Sequence, residues 1–473
     1  MKFRFLAVTL ILAVAATSAQ AQRPPVGPGL APFVSVNAPV VALTHVRVVD
    51  GTGAAARDDQ TIIVRDDRIV AVGPAASTTV PAGAQTLNLT GHTVIPGLVG
   101  LHEHTWFGGI RKSSPMGATA GLLYLAMGVT TGMTAGSQYP YHELNLKRAV
   151  DVGAIPGPRF EIAGPYLTGG QPNARSSNRL VNTPEEATRV IHYWGSEGAT
   201  WFKFLGGPTR EVLGAAIKAA HARGLKVTGH LCSVTFTEAA DLGIDLLQHG
   251  FITNSDYVPD KKPDVCPPDN MRMQADVDVA SPAVQQSIRH IVSRGTAVAS
   301  TLAVYETFMP TRARLDSAQM EFYDPEVRKE VQANHKGLAQ GGLIVPDRLL
   351  KKMMQWERDF VRAGGLLGAG CDPWGTGFLP GFGNLRNYEL LREAGFTAEQ
   401  SVQIMTFNGA RILGKDKQTG SIASGKLADL VVIRGDPTRT PNDIYNVVTV
   451  MKSGLGYDSM KLRQAAKGTV GGA

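Results

Sequence analysis

The chain reads as an α/β protein: a (β/α)8 TIM barrel with a small composite β-sandwich domain formed by its N- and C-terminal segments. Three observations predict this. Eight short apolar runs ending in glycine or polar residues alternate with helix-period segments between residues 94 and 415, the pattern of parallel βα units closed into a barrel. Ionisable residues interrupt five of those runs near their C-terminal ends, which in such barrels form the active-site face. Strand-like segments with turn signals precede and follow the alternating region, and the two should pair with each other.

Taken in order, residues 1–21 carry Lys2 and Arg4, an apolar run from Phe5 to about Ala16, and then Ala19-Gln20-Ala21. This is the layout of a Sec-type signal peptide cut after Ala21, and it predicts a periplasmic or secreted protein. The apolar run is too short to span a bilayer, and no later stretch is long enough. The mature chain is therefore expected to have no membrane partner. Losing Lys2 and Arg4 takes the formal net charge from +7 to +5, and no basic-aromatic motif accompanies that mild excess, so nucleic acid is not an expected partner. Residues 22–39 are rich in Pro and Gly and read as a flexible leader. Residues 40–93 form the first part of the β domain and 416–473 its second part with a C-terminal tail. His45 and His92 fall in the first part and need no function.

The barrel strands are expected at the run ending in His102 and His104, then at 129–134, 159–164, 199–206, 225–231, 244–250, 297–303 and 366–372. Between them, 184–197 follows the Asn182/Thr183 cap, and 209–223 ends at Gly224, both with helical periodicity. A strand has a side-chain period of two, so His102 and His104 share a face and Glu103 points away. Two imidazoles leaving one strand end together are half of a divalent-metal site. Lys203 sits in the fourth strand, His230 near the end of the fifth, His249 at the end of the sixth, and Asp372 closes the eighth. One strand-end histidine is usually a satisfied structural group; six such residues converging on one face read as a metal centre.

The order His-x-His, Lys, His, His, Asp resembles the amidohydrolase superfamily. So do the stretches around it: P-G-L-V-G-L-H-E-H, G-V-T-T, W-F-K-F-L-G-G, V-T-G-H-L, L-L-Q-H-G, G-C-D-P-W-G, and the closing T-G-S-I-A-S-G-K-L-A-D-L-V-V-I. Within it, the chain is similar to imidazolonepropionase-like and Xaa-Pro dipeptidase (prolidase-like) members that carry a strand-four lysine. The resemblance implies His102, His104 and Asp372 on one metal, His230 and His249 on a second, and Lys203 bridging both as an N-carboxylated lysine. A carbamate would turn a repelled cation into an anionic oxygen donor, and burial lowers a lysine's pKa enough to expose the neutral amine that captures carbon dioxide. Zinc is the default for imidazole with carboxylate, with manganese and iron open.

Two such cations would share a water and lower its pKa toward ~7. The resulting hydroxide would attack the scissile carbonyl while Asp372 takes the proton and passes it to the leaving amine. The expected substrate is a small molecule with an amide bond, peptide-like or N-acyl amino acid. An ester, lactone or organophosphate is the alternative for the same site, and a barrel binding metal or ligand without turnover is the alternative from another class. Deamination fits less well, because a bridging lysine suits a two-metal site.

The loops set specificity. Gln171 stands where prolidase-like relatives often carry histidine, and V-T-T-G-M-T lacks an arginine common there, so peptide specificity does not carry over directly. Gln171, Tyr305 and Trp374 are the candidate substrate contacts, and Arg175, Arg179 or Arg386 could receive a carboxylate. Residues 251–280 and 305–345 are long enough to cover the site. Relatives commonly self-associate, which leaves a homo-oligomer open. Of three cysteines, Cys232 and Cys371 read as packing residues, and Cys266, in D-V-C-P-P-D, as the free thiol or intermolecular partner.

Overall fold

The computed structural model describes residues 26–108, 113–170, 178–309, 311–312, 316–339, 346–373 and 377–472. Two sheets organise it. The larger has ten strands, all parallel. Eight of them coincide with the expected runs: β1 Leu98–Glu103, β2 Val129–Thr134, β3 Arg159–Glu161, β4 Trp201–Gly206, β5 Lys226–Leu231, β6 Leu246–Gln248, β7 Ala297–Ser300 and β8 Leu367–Ala369. β8 returns to β1 through Ala369 and Gly100. β3 is short, but the chain beyond it stays in the sheet: Ala163 bridges Trp201, and Leu167 pairs with Phe204 of β4.

Helices join these strands where the caps predict. Helix Pro184–Glu197 starts at Thr183, whose hydroxyl accepts from the Glu186 N–H, and stops at Gly198 in the left-handed region. Helix Arg210–His221 is capped the same way by Thr209. Its buried Val212, Leu213, Ala216, Ile217 and Ala220 recur at helical spacing and face the sheet.

Along β4 and β6 the two-residue period separates two layers. Trp201 and Leu246 pack with Met133, Ala163, Ala297 and Ala299 in one apolar cluster. Two residues further along, on the same faces, stand Lys203 and Gln248. The apolar layer thus lies on the N-terminal side of the polar strand ends. Gly370 lets β8 close on β1, because a Cβ there would lie 2.4 Å from the His102 backbone nitrogen.

The second sheet has nine strands drawn from both ends of the chain. Strand Leu430–Arg434 runs antiparallel to His92–Pro96, joining C-terminal to N-terminal sequence, and Val41, Leu43, Val46, Ile62, Val94, Leu430 and Val432 form its core. Strand His92–Pro96 leads directly into β1, so this sheet anchors the start of the site-bearing strand. Buried Asp429 tightens the junction, pairing with Arg159 of β3 and accepting from the Thr419 hydroxyl at 2.9 Å. No helix among the described residues is long and apolar enough to cross a membrane.

One expectation needs correcting. Cys266 is not free: it forms a disulfide with Cys232, 34 residues earlier. The long segment after β6 folds back over the end of β5, which linear spacing does not reveal. The free thiol among the described residues is Cys371, buried against the Leu379 carbonyl.

Candidate active site

Five strand ends bring their ionisable groups together. His102 and His104 leave β1 on one face, and Tyr124 grips the His104 backbone, its hydroxyl lying 3.0 Å from the His104 nitrogen and donating to the His104 carbonyl at 2.9 Å. Glu103 points away, accepting from Asn384 Nδ2 at 2.7 Å; burial pushes its carboxyl up to about 8. Asp372 Oδ1 lies 3.2 Å from His104 Nε2 and 3.4 Å from His102 Nε2, and its Oδ2 lies 3.8 Å from His249 Nδ1. Lys203 Nζ is 2.9 Å from His102 Nε2. The His230 ring is 4.5 Å from that of His249, and His230, like Asp372, is half-buried.

The tightest subset is His102, His249 and Asp372, each with a ligand atom within 4.8 Å of the others. His249 therefore approaches the Asp372 carboxylate as well as His230. Backbone conformation makes this possible. Consecutive strand residues face opposite sides, yet both Gln248 and His249 reach the site, because His249 adopts a left-handed φ of 70° just past β6. Asp372 does the same just past β8, with φ of 48°, and its N–H donates to the His102 carbonyl at 2.7 Å. Such conformations cost about 1–3 kcal/mol each in residues other than glycine and persist where the surroundings over-determine them.

Burial sets the protonation states. Desolvation lowers the pKa of His102, His104 and His249 and takes His230 down to about 4, so all four are neutral near pH 7. Burial also brings the Lys203 amine down to about 8, although Asp372 pulls the other way. Burial opposes the Asp372 carboxylate, but His102, the His104 hydrogen bond and His249 outweigh it and hold it well below the usual carboxylate range. Neutral imidazoles beside an ionised carboxylate are the donors a divalent cation requires. His249 Nε2 tests that fit: it is buried without a hydrogen-bond partner, while the Nδ1 of the same ring is 2.8 Å from Thr301 Oγ1. A dry, unpartnered ring nitrogen among two more imidazoles and a carboxylate suits a metal ligand.

Several positioning residues escape a sequence reading. Gln248 accepts from or donates to nothing charged, yet its Oε1 lies 2.7 Å from His102 Nδ1, and its Nε2 donates to the Thr228 hydroxyl at 2.9 Å. Tyr166 places its hydroxyl 3.2 Å from His104 Nε2. A buried glutamine beside His249 in an apolar run was a usable signal; Thr301 and Tyr166 offered none. Of the candidate substrate contacts, Tyr305 is buried with its ring 5.4 Å from that of His249. Gln171, Arg175 and Trp374 lie outside the described residues. Arg179 is exposed. Arg386 is not open to a substrate carboxylate, since Glu306 at 2.8 Å and Glu389 at 2.6 Å already neutralise it.

Fold and site together define a class: α/β proteins that gather histidines and an aspartate, a set able to hold a divalent cation, at the C-terminal ends of parallel strands. Comparison with known proteins narrows it. An amidohydrolase family model matches residues 381–455. Imidazolonepropionase of Micrococcus luteus is 33% identical over 131 residues, 27% of this chain; the match spans 32% of that protein's length. Among solved structures, a protein assigned as a prolidase in Bifidobacterium longum superposes with a TM-score of 0.65 at 24% identity, covering 92% of this chain and 100% of its own. A Xaa-Pro dipeptidase with bound methionine gives 0.66 at 19% identity, covering 89% and 100%. The chain is thus similar to amidohydrolases over part of its length, spans about a third of the imidazolonepropionase it matches, and shares the fold of the prolidase-like structures.

Proposed function

We propose that this protein is a metal-dependent hydrolase of amide bonds, acting on a peptide-like or N-acyl amino acid substrate. The observation that carries the reading is the convergence of His102, His249 and Asp372, with Lys203, His104 and His230 around them, at the strand ends. The similarity to prolidase-like proteins and to an imidazolonepropionase supports amide-type chemistry. We read the ten-stranded sheet as a closed barrel, joined between β3 and β4 by the Ala163–Trp201 bridge. The Cys232–Cys266 disulfide supports a periplasmic or secreted location, in keeping with the signal-like residues 1–21.

His102, His104, His230, His249 and Asp372 would hold two divalent ions, zinc by default, with N-carboxylated Lys203 between them. Bound there, the cations would acidify a water and polarise a carbonyl. The chain's own groups do the rest. Burial keeps the imidazoles neutral, so their lone pairs are available at neutral pH. Asp372 stays ionised and can take a proton from the attacking water at a carboxylate oxygen, then return it to the departing amine. Burial keeps the Tyr166 and Tyr305 phenols protonated, so each can donate a hydrogen bond without adding charge.

Metal content per chain, measured after expression with zinc and bicarbonate, tests this. Wild type should hold about two ions and Lys203→Ala distinctly fewer; one or none in loaded wild type would overturn the two-metal reading. Asp372→Asn should cut amide hydrolysis at least ~10³-fold with the melting transition retained. Near-full activity in that variant would remove Asp372 from proton transfer.

A further inference from the structure

The segment after β6 contains a stretch with no anchor in the core. None of residues 259–269 is buried, and Asp260 and Asp264 within it take left-handed backbone conformations with φ of 53° and 58°. Val258 and Asn270 on either side are buried, so the stretch is a strap fixed at both ends. A strap that buries no apolar side chain has no hydrophobic hold on the rest of the molecule, and such segments open locally at low cost.

Among the described residues three side-chain links fasten the strap across its middle. Asp264 pairs with Arg210 at 3.0 Å, and Lys261 donates to the Ser233 carbonyl at 2.6 Å. Arg210 is 43% exposed, and an ion pair so open to water adds little. The third link is covalent, the disulfide from Cys266 to Cys232 at the end of β5. Cys232 lies two residues past His230, and the strap residues Cys266, Pro267, Pro268 and Asp269 line the same cavity of about 340 Å³ as His230. The strap is therefore one wall of the approach to His230, and the disulfide is its strongest fastening.

We propose that the Cys232–Cys266 disulfide is a redox latch: while it is intact the strap covers the His230 side of the site, and its reduction by a dithiol lets the strap open. Cys266 is exposed whereas Cys232 is buried, so a thiolate of the dithiol reaches the Cys266 sulfur. A mixed disulfide forms there and the bond to Cys232 breaks. The second sulfur of the dithiol then displaces Cys266, leaving the reagent as a cyclic disulfide and its two protons on Cys232 and Cys266. Cys371 is buried and does not enter the exchange.

Hydrogen exchange and zinc release together test the latch. The zinc-loaded full chain is compared oxidised, reduced with a phosphine that gel filtration then removes, and reoxidised, with the redox state checked by mass. Reduction should speed amide exchange across 260–266 at least ~10-fold and zinc loss to dipicolinate by a similar factor, and reoxidation should reverse both. Cys266→Ser should show the fast behaviour from the start and not respond to the phosphine. Exchange that is equal in the two redox states would overturn the latch, and faster exchange with unchanged zinc loss would overturn its cover of the site. Only the zinc readout rests on the metal-hydrolase reading above. A chain that takes up no zinc would count against that reading, and the exchange comparison would still decide whether reduction frees the strap.

Discussion

Two of the places where histidine meets aspartate share a left-handed backbone, and comparing them shows what sets the candidate site apart. At the C-terminal ends of the parallel strands, His249 and Asp372 take left-handed backbone conformations with φ of 70° and 48°. In the nine-stranded sheet, His45 and Asp59 do the same, with φ of 57° and 49°, where the pairing register shifts between Leu43 and Val46. Both clusters pair imidazole with carboxylate: His104 lies 3.2 Å from Asp372, and His45 lies 2.7 Å from Asp59. Residue type, pairing and backbone strain therefore do not separate them. Water does. His104 is 2% exposed, whereas His45 and Asp59 are 52% and 64% exposed. In the buried cluster desolvation keeps the imidazoles neutral and leaves His249 Nε2 unpartnered; in the exposed one the pair is an ordinary surface contact at a bulge, worth ~0–1 kcal/mol.

The largest effect expected from probing that contrast comes from the support around the buried rings. Gln248→Met removes the bond to His102 Nδ1 at nearly constant volume, and should weaken metal retention against a competing chelator ~10–100-fold. Unchanged retention would mean that packing alone orients His102.

A smaller effect sharpens the role of desolvation. Glu357, on helix Asp347–Arg362 and fully buried, accepts from the Ser300 hydroxyl at 3.0 Å, and burial raises its carboxyl from an ordinary 4.5 to about 8. Between those values the folded state binds more protons than the unfolded state, so wild type loses stability as pH rises from 4.5 to 8. Glu357→Gln lacks this loss. Its stability relative to wild type should climb across that window by about 3 kcal/mol, as read from denaturant melts at each pH. A pH-independent difference would show that the carboxyl is not held neutral.

The smallest effect belongs to the exposed pair. His45→Ala should change stability by no more than ~0.5 kcal/mol and leave metal content untouched. A loss of bound metal in this variant would erase the distinction between the clusters.

Much of this was legible in the linear chain because it depends on local periodicity. The apolar runs that became β2, β4 and β5 mark those strands to within a residue or two, and Thr183 and Gly198 bound their helix by capping chemistry that acts within four residues. The candidate ligands stood out because an ionisable side chain in an apolar strand has no cheap local explanation. The left-handed turn at His249 was not legible, since alternation places Gln248 and His249 on opposite faces and only the return of the chain over β6 forces them onto one. Nor was the disulfide: Cys232 and Cys266 look unrelated until the intervening 34 residues fold back. Arg386 looked available because its partner Glu306 lies 80 positions away in sequence.

The sequence by itself determined the order of strands and helices and the kinds of side chain each strand end presents, because propensity, capping and side-chain period are properties of neighbouring residues. Tertiary structure alone decided which groups lost their water, which buried nitrogen among the described residues was left without a partner, and which arginine was already neutralised by neighbouring carboxylates. Desolvation and pairing depend on what long-range packing brings within a few ångströms, and no local pattern encodes that distance.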